Sequence, residues 1–251
     1  MLSKWIILFL IGSLPFGQDV IGDGLYEEEL INFLRANYKT STTLGYNNAR
    51  DVMYLEIDRE DDGSVYGIYT NYAVFLPESG VDPSTHLYEN GMNCEHIWPQ
   101  SMYEGSDPMK SDMHHLRPSK SNVNSSRGNN PFNEIFDYDV QYWFLNDSQI
   151  TYKPNNDFLY SEGNSSYFEP RESIKGDIAR SMFYVATIYD NLIENDYNFD
   201  SFLKLEDIFL LLSSSFFFPE DYFRVEFYQN LLLLLIFFLP LIKLIYVLQL
   251  V

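Results

Sequence analysis

The stretch that decides the fold runs from Asn93 to Phe132 and reads NCEHIWPQSMYEGSDPMKSDMHHLRPSKSNVNSSRGNNPF. Three of the four histidines of the chain, His96, His114 and His115, lie within it. The ordinary pKa of histidine is close to physiological pH, so clustered histidines indicate a site of proton transfer or metal binding. We therefore expect this stretch to carry the chemistry of the protein.

Prolines and capping residues divide this stretch into three short elements. Asn93 to Trp98 is predicted to be a strand closed by Pro99, and Asp112 to Arg117 a second strand stopped by Pro118. A helix is expected from Lys120 to Arg127, because a serine precedes it as a cap and a glycine follows it as a C-terminal stop. The predicted order is strand, strand, helix.

Further helices are predicted on both sides of this unit. Apolar residues recur at helical spacing from Leu25 to Tyr38, in a segment rich in glutamates that suit a helix N-terminus. A second helix is expected from about Asn47 to Leu55, before a β-rich stretch from Val65 to Tyr72. Residues 174 to 194 are predicted to form an amphipathic helix that packs in the core.

The chain contains a motif of residues at fixed spacing that rules for helices and strands do not explain. It comprises Glu95-His96, Trp98-Pro99, Ser111-Asp112, His114, Leu116, Pro118, Val123-Asn124, Arg127 and Asn129, with Lys175 to Arg180 further on. This set resembles the endonuclease I family of the His-Me finger, or ββα-metal, nucleases. The resemblance covers roughly Leu25 to Asp196. It implies an α+β fold, a mixed fold built around a ββα-metal motif with several surrounding helices.

The resemblance also implies a reaction and the residues that perform it. His96 would be the general base that deprotonates a water for in-line attack on phosphorus. Glu95 and Asn124 would be the protein ligands of a hard divalent cation. Mg²⁺ is the expected ion, with Mn²⁺ or Ca²⁺ as alternatives, since few protein ligands and retained water suit it.

The sequence leaves two roles open for the arginines and for the other two histidines. Arg117 and Arg127 are candidates to bind substrate phosphates by bidentate hydrogen bonds, or they pair with acidic residues. Arg180 is a further candidate for substrate contact, with an ion-pair network around Lys175 and Asp177 as the alternative. His114 and His115 are expected to support the site, one bracing it from behind and the other facing the cleft or solvent.

Net charge restricts how a nucleic acid could be bound. The formal charge is -20, which excludes a globally basic surface and requires a local basic site or a metal ion. The resemblance implies cutting of DNA that is largely independent of sequence. The sequence leaves open whether RNA is cut as well. We expect the protein to act as a monomer.

The ends of the chain differ from the middle. A lysine followed by a short apolar run predicts a signal peptide at residues 1–18 and a secreted or periplasmic protein. Residues 19–205 are the expected nuclease domain, and residues 206–251 form an apolar tail. Residues 231–251 are long enough to anchor the protein in a membrane, and a frame-disrupted C-terminus is the equal alternative.

Two other functions compete with the nuclease. A zinc-dependent hydrolase could use the clustered histidines with Glu95, although no His-Glu-x-x-His helix is present. A catalytically inactive, membrane-tethered interaction protein would suit the acidic composition and the apolar tail.

Overall fold

The computed structural model describes residues 21–189, and these form an α+β fold. The helices are α1 (Glu27–Tyr38), α2 (Tyr46–Val52), which continues as a π-helical turn (Met53–Ile57), α3 (Pro83–Glu89), α4 (Ser121–Arg127) and α5 (Lys175–Ile188). The strands are β1 (Ser64–Tyr66), β2 (Ala73–Phe75), β3 (Met92–His96), β4 (Leu116–Lys120), β5 (Tyr142–Leu145), β6 (Ser148–Ile150), β7 (Ser161–Gly163) and β8 (Phe168–Glu169).

Both chain ends lie beyond this range. The predicted signal peptide at residues 1–18 and the apolar tail at residues 206–251 are outside the described residues, as is the expected end of the last helix. Among residues 21–189, no helix is long and apolar enough to cross a membrane.

The predicted strand, strand, helix unit is present as β3, β4 and α4. The two strands pair antiparallel, with Glu95 opposite Arg117 and Cys94 opposite Pro118, and α4 follows β4 without a loop. Gly128 adopts a positive φ of 54° directly after α4, as expected of a glycine that ends a helix.

The predicted bounds of the second strand are wrong. Residues from Asp112 to His115 form a turn, and β4 begins at Leu116 and runs through Pro118. The carbonyl of Pro118 accepts a hydrogen bond from the Ile68 amide at 2.8 Å. The backbone polar groups of Pro118 therefore point away from β3. Proline fits here because its missing N–H would not have joined the ladder.

The β3–β4 pair lies between two hydrophobic cores. One face carries Met92 and Leu116 and packs against α2, α3 and the β1–β2 hairpin. Ile97, just after β3, belongs to the other core, together with Val123 of α4 and the apolar side of α5. Alternate residues of β3 therefore face different surroundings, which separates the side chain of Glu95 from that of His96.

The stretch predicted to be β-rich from Val65 to Tyr72 contains only the end of β1, so most of that prediction is wrong. Residues 67–72 form the turn of the β1–β2 hairpin, and this turn contacts β4. A Cβ on Gly67 would lie 3.0 Å from the backbone nitrogen of Lys120, so a glycine allows the turn to approach this closely. Beside it, the fully buried Tyr69 reaches the opposite side of the β3–β4 pair. The hairpin thus delivers a residue to the candidate site.

Candidate active site

His96 is the last residue of β3 and is 5% exposed. Its Nε2 lies 3.1 Å from the carbonyl oxygen of Lys110, which can only accept, so Nε2 carries the proton. Nδ1 therefore has a lone pair, to which the side-chain amide of Gln100 donates at 3.1 Å. These two contacts fix the ring with Nδ1 as its basic atom.

Aromatic rings surround the imidazole of His96. Its centroid lies 5.5 Å from that of Tyr46, 5.6 Å from that of His115 and 6.5 Å from that of Tyr103. Burial, with a smaller contribution from His115, lowers the pKa of His96 to about 4. The imidazole is consequently neutral at physiological pH, which is the form that a general base needs.

Glu95 precedes His96 and is 2% exposed. Its Oε1 accepts a hydrogen bond from the Tyr69 hydroxyl at 2.6 Å and lies 3.3 Å from Nη1 of Arg127. Burial raises the pKa of Glu95, whereas Arg127 and Tyr69 both favour the carboxylate. In its ionised form, a side chain held in this way is a hard oxygen ligand of the kind that a divalent cation binds.

Asn124 lies on α4 and contacts β3 through its side chain. Its Nδ2 donates to Oδ1 of Asn93 at 2.9 Å and to the carbonyl of Cys94 at 3.2 Å. Because the amide nitrogen is used in these bonds, Oδ1 is the atom that remains to bind a cation. Asn93 and Glu95 share one face of β3, so Asn124 packs on the face that carries Glu95.

Arg127 is 1% exposed and holds α4 against the end of β3. Besides its contact with Glu95, Nη2 donates to the carbonyl of Ile97 at 2.8 Å, and the guanidinium lies 4.6 Å from the Phe132 ring centroid. This placement does not fit the expected contact with a substrate phosphate, because the guanidinium is enclosed by the protein. A role in orienting Glu95 fits it better.

The side chains of the other two candidate arginines have other partners than Glu95. Arg117 is half-buried, and its Nη1 donates to the carbonyls of Leu116 at 2.6 Å and Met113 at 3.2 Å. Arg180 is on α5, where its side chain is 67% exposed and pairs with Asp177. This ion pair agrees with the alternative role that the sequence left open for Arg180. A contact of Arg180 with the substrate stays a prediction.

His114 and His115 divide into a surface and a buried residue. His115 is fully buried, and its Nε2 donates to the carbonyl of Met109 at 2.7 Å. The side chain of His114 is 61% exposed, and its Nδ1 lies 2.7 Å from Oδ1 of Asp112. Both histidines lie in the turn before β4 and not in the predicted strand. One of them is nevertheless buried and the other faces solvent, as expected.

Among the described residues, one group of three carboxylates is close enough to suggest a metal site. It consists of Glu134, Glu169 and Glu172. The ammonium of the fully buried Lys175 lies 2.6, 2.7 and 2.6 Å from their oxygens, respectively. The lysine occupies the position that a metal would take, so this cluster is an ion-pair network, which was one of the two predicted roles of Lys175.

Several contributing residues were missed by the sequence reasoning. Tyr69 binds Glu95, Gln100 binds His96, and Tyr184 and Tyr189 bind Asp112. Gln100 follows the Trp98-Pro99 step closely and could have been proposed from its position. The tyrosines are distant in sequence from their partners, and no local pattern indicates them.

A sequence model of the endonuclease I family matches residues 27–210, and the chain belongs to that family. Over 100 residues it is 36% identical to a protein named extracellular ribonuclease from Bacillus subtilis (strain 168). The same identity and length relate it to an extracellular ribonuclease from Bacillus amyloliquefaciens. The aligned part is 39% of this chain and 29% of each relative, so less than a third of their length is matched.

Proposed function

We propose that this protein is a metal-dependent nuclease that hydrolyses phosphodiester bonds with His96 as the general base. Membership of the endonuclease I family supports the reaction class. The observation that carries the residue assignment is the hydrogen bond from Nε2 of His96 to the carbonyl of Lys110, since it leaves Nδ1 as the proton acceptor. A neutral, fixed imidazole is the group that a water nucleophile requires.

The proposed first step is proton transfer from water to Nδ1 of His96. In the present arrangement the uncharged amide of Gln100 donates to Nδ1. Gln100 is half-buried, and a water that donates to the same lone pair would replace its amide. The hydroxide formed there attacks phosphorus in line with the 3′ oxygen, the bond from phosphorus to that oxygen breaks, and the departing oxygen takes a proton from solvent water. The Lys110 carbonyl keeps the imidazole in position.

Glu95 and Asn124 are the proposed ligands of the cation. A carboxylate and an amide oxygen on one face of β3 form a hard donor set, which fits Mg²⁺, Mn²⁺ or Ca²⁺. A bound divalent ion supplies positive charge that stabilises the phosphate and the leaving oxygen. Tyr69 and Arg127 orient the carboxyl group of Glu95 and favour its ionised form against the effect of burial.

The zinc hydrolase is less well supported by the same contacts. Nε2 of His96 and Nε2 of His115 both bind backbone carbonyls, and Nδ1 of His114 binds Asp112. Among the described residues, the one group of three His, Cys, Asp or Glu side chains whose ligand atoms converge is Glu134, Glu169 and Glu172, and it contains no histidine.

The proposed substrates are DNA and RNA, cut with little regard to sequence. Attack by an external water does not need a 2′-hydroxyl, so the mechanism applies to both polymers. The names of the two Bacillus relatives support RNA as a substrate and secretion as the destination. We propose a secreted enzyme that acts as a monomer.

Digestion of plasmid DNA and of RNA by the full chain tests this function. Both polymers are expected to be cut with Mg²⁺ and to stay intact with EDTA. Cleavage that persists in EDTA would refute the metal requirement. Intact substrates in Mg²⁺, Mn²⁺ and Ca²⁺ alike would refute the nuclease and favour the inactive interaction protein.

A further inference from the structure

The turn before β4 holds a second ordered histidine outside the general-base pocket. Oδ1 of Asp112 accepts hydrogen bonds from Nδ1 of His114 at 2.7 Å and from its backbone amide at 3.1 Å. The His114 ring also stacks on Tyr184 of α5, with centroids 4.3 Å apart and ring planes at 20°. The imidazole is thus fixed on two sides although most of it faces solvent.

Asp112 is held as firmly as the histidine that it binds. The Tyr184 hydroxyl donates to its Oδ2 at 2.8 Å and the Tyr189 hydroxyl at 2.6 Å. Burial alone would raise the pKa of Asp112, but the hydrogen bonds from His114, Tyr189 and Tyr184 together lower it well below its usual range. The side chain, only 2% exposed, is therefore an anion at neutral pH.

This anion favours the protonated form of the neighbouring imidazole. The hydrogen bond to Asp112 raises the pKa of His114, against burial and the nearby Arg117. The other groups around it, Tyr184, Tyr189 and the buried His115, are uncharged at neutral pH, because burial raises the pKa of each tyrosine and lowers that of His115. With Nδ1 bound to Asp112, the outward donor is Nε2.

His114 and His96 occupy different surroundings. His96 packs against Tyr46 of α2 and Tyr103, whereas His114 packs on α5. When protonated, the fixed and exposed imidazole of His114 forms, with Arg117 nearby, a local basic site on a chain with a formal charge of -20. A histidine that served packing alone would not need an exposed ring whose charge is maintained by a buried carboxylate.

We propose that His114 binds a phosphate of the nucleic acid strand other than the one being cleaved. Nε2–H of the imidazolium donates to a phosphate oxygen, a charge-assisted hydrogen bond that adds affinity and is independent of base identity. The proposal rests on the proposed function, since it assumes a nucleic acid substrate. It makes His114 a substrate-binding residue and His96 the base.

Binding of a fluorescein-labelled single-stranded oligonucleotide, followed by anisotropy at low salt in EDTA, tests the proposal without cleavage. The affinity of the unaltered protein is expected to fall about three- to tenfold as the pH rises from about 5.5 to 8.5, because His114 loses its proton. His114→Gln removes this pH dependence and reduces the slope of log affinity against log salt by about one.

Two further variants control for charge and for folding. His114→Arg keeps a cation at every pH, so it binds tightly without the pH dependence. His86→Gln, whose imidazole on α3 contacts the Phe75 carbonyl, leaves affinity and slope unchanged. Immeasurable binding by the unaltered protein overturns the proposal. So does equal binding by His114→Gln, or weak binding by a folded His114→Arg.

Cleavage assays with Mg²⁺ separate this proposal from the proposed function. His114→Gln is expected to raise KM about three- to tenfold and to leave kcat within about twofold. Tight, pH-dependent binding without cleavage by the unaltered protein refutes only the nuclease. Cleavage with a KM that His114→Gln does not change refutes only the phosphate site.

Discussion

The pocket around His96 and the surface around His114 belong to the same segment of chain, yet they shift the pKa of the same side chain in opposite directions. Burial among aromatic rings lowers the pKa of His96 to about 4, so its imidazole is neutral. A hydrogen bond to Asp112 raises the pKa of the exposed His114, which favours the imidazolium. Residue type tells which groups can titrate, and their partners decide the charge.

Removing the neutral imidazole should have the largest effect. His96→Ala is expected to lower kcat by at least about two orders of magnitude, the usual scale for loss of a general base, because it removes the proposed proton acceptor of the attacking water. The matched control is His86→Ala on α3, which should keep full activity. Near-full activity of His96→Ala in initial-rate assays would disprove the assignment of the base.

Changing the face of β3 opposite His96 should affect metal binding as well as rate. Glu95→Gln and Asn124→Ala are each expected to weaken Mg²⁺ binding at least about tenfold, with partial rescue at high Mg²⁺. The first replaces a charged oxygen ligand with an uncharged amide oxygen, and the second removes an amide oxygen. Isothermal titration calorimetry measures this, with Glu89→Gln on α3 as the control. If both variants bind Mg²⁺ as the unaltered protein does, the ligand pair is wrong.

Removing the charge of Asp112 should remove the hydrogen bond that raises the pKa of His114, with a smaller overall effect than the two changes above. Asp112→Asn is expected to lower the free energy of unfolding by about 1–3 kcal/mol near neutral pH, since buried hydrogen bonds to a carboxylate are weakened. The folded pKa of Asp112 is depressed, so its stabilisation is complete above the unfolded pKa and is lost as the pH falls through the folded value.

Urea unfolding at several pH values checks this sign. The difference between Asp112→Asn and the unaltered protein should shrink as the pH falls below about 4, where the carboxylate becomes protonated in the unfolded chain. A difference that grows on acidification would show that Asp112 stabilises the fold in its protonated form.

Local sequence patterns predicted the strand, strand, helix order, α1, and the start of α5. They ended β4 before Pro118, because a proline usually interrupts a strand. Pro118 fits within β4 since its nitrogen points away from β3, and this direction is set by the register of the β3–β4 pair. A pattern finds an arginine such as Arg127 but cannot tell whether tertiary packing encloses it.

The partners of Asp112 show the same limit within the site. The family resemblance marked Asp112 and His114 as matching positions, but Tyr184 and Tyr189 reach Asp112 only because α5 packs beside the turn. Contacts with residues far apart in sequence therefore contribute to the lowered pKa of Asp112. The identity of the candidate site could be predicted from sequence, whereas the charge of its histidines could not.

The account depends most on His96 being neutral and His114 being charged in the folded protein. NMR titration of the four histidine side chains in EDTA measures this, with resonances assigned from single His→Gln variants. The account predicts that His114 titrates above its ordinary value of about 6.5 and that His96 stays unprotonated down to about pH 5. Protonation of His96 near or above its ordinary value, or of His114 below it, would contradict the account.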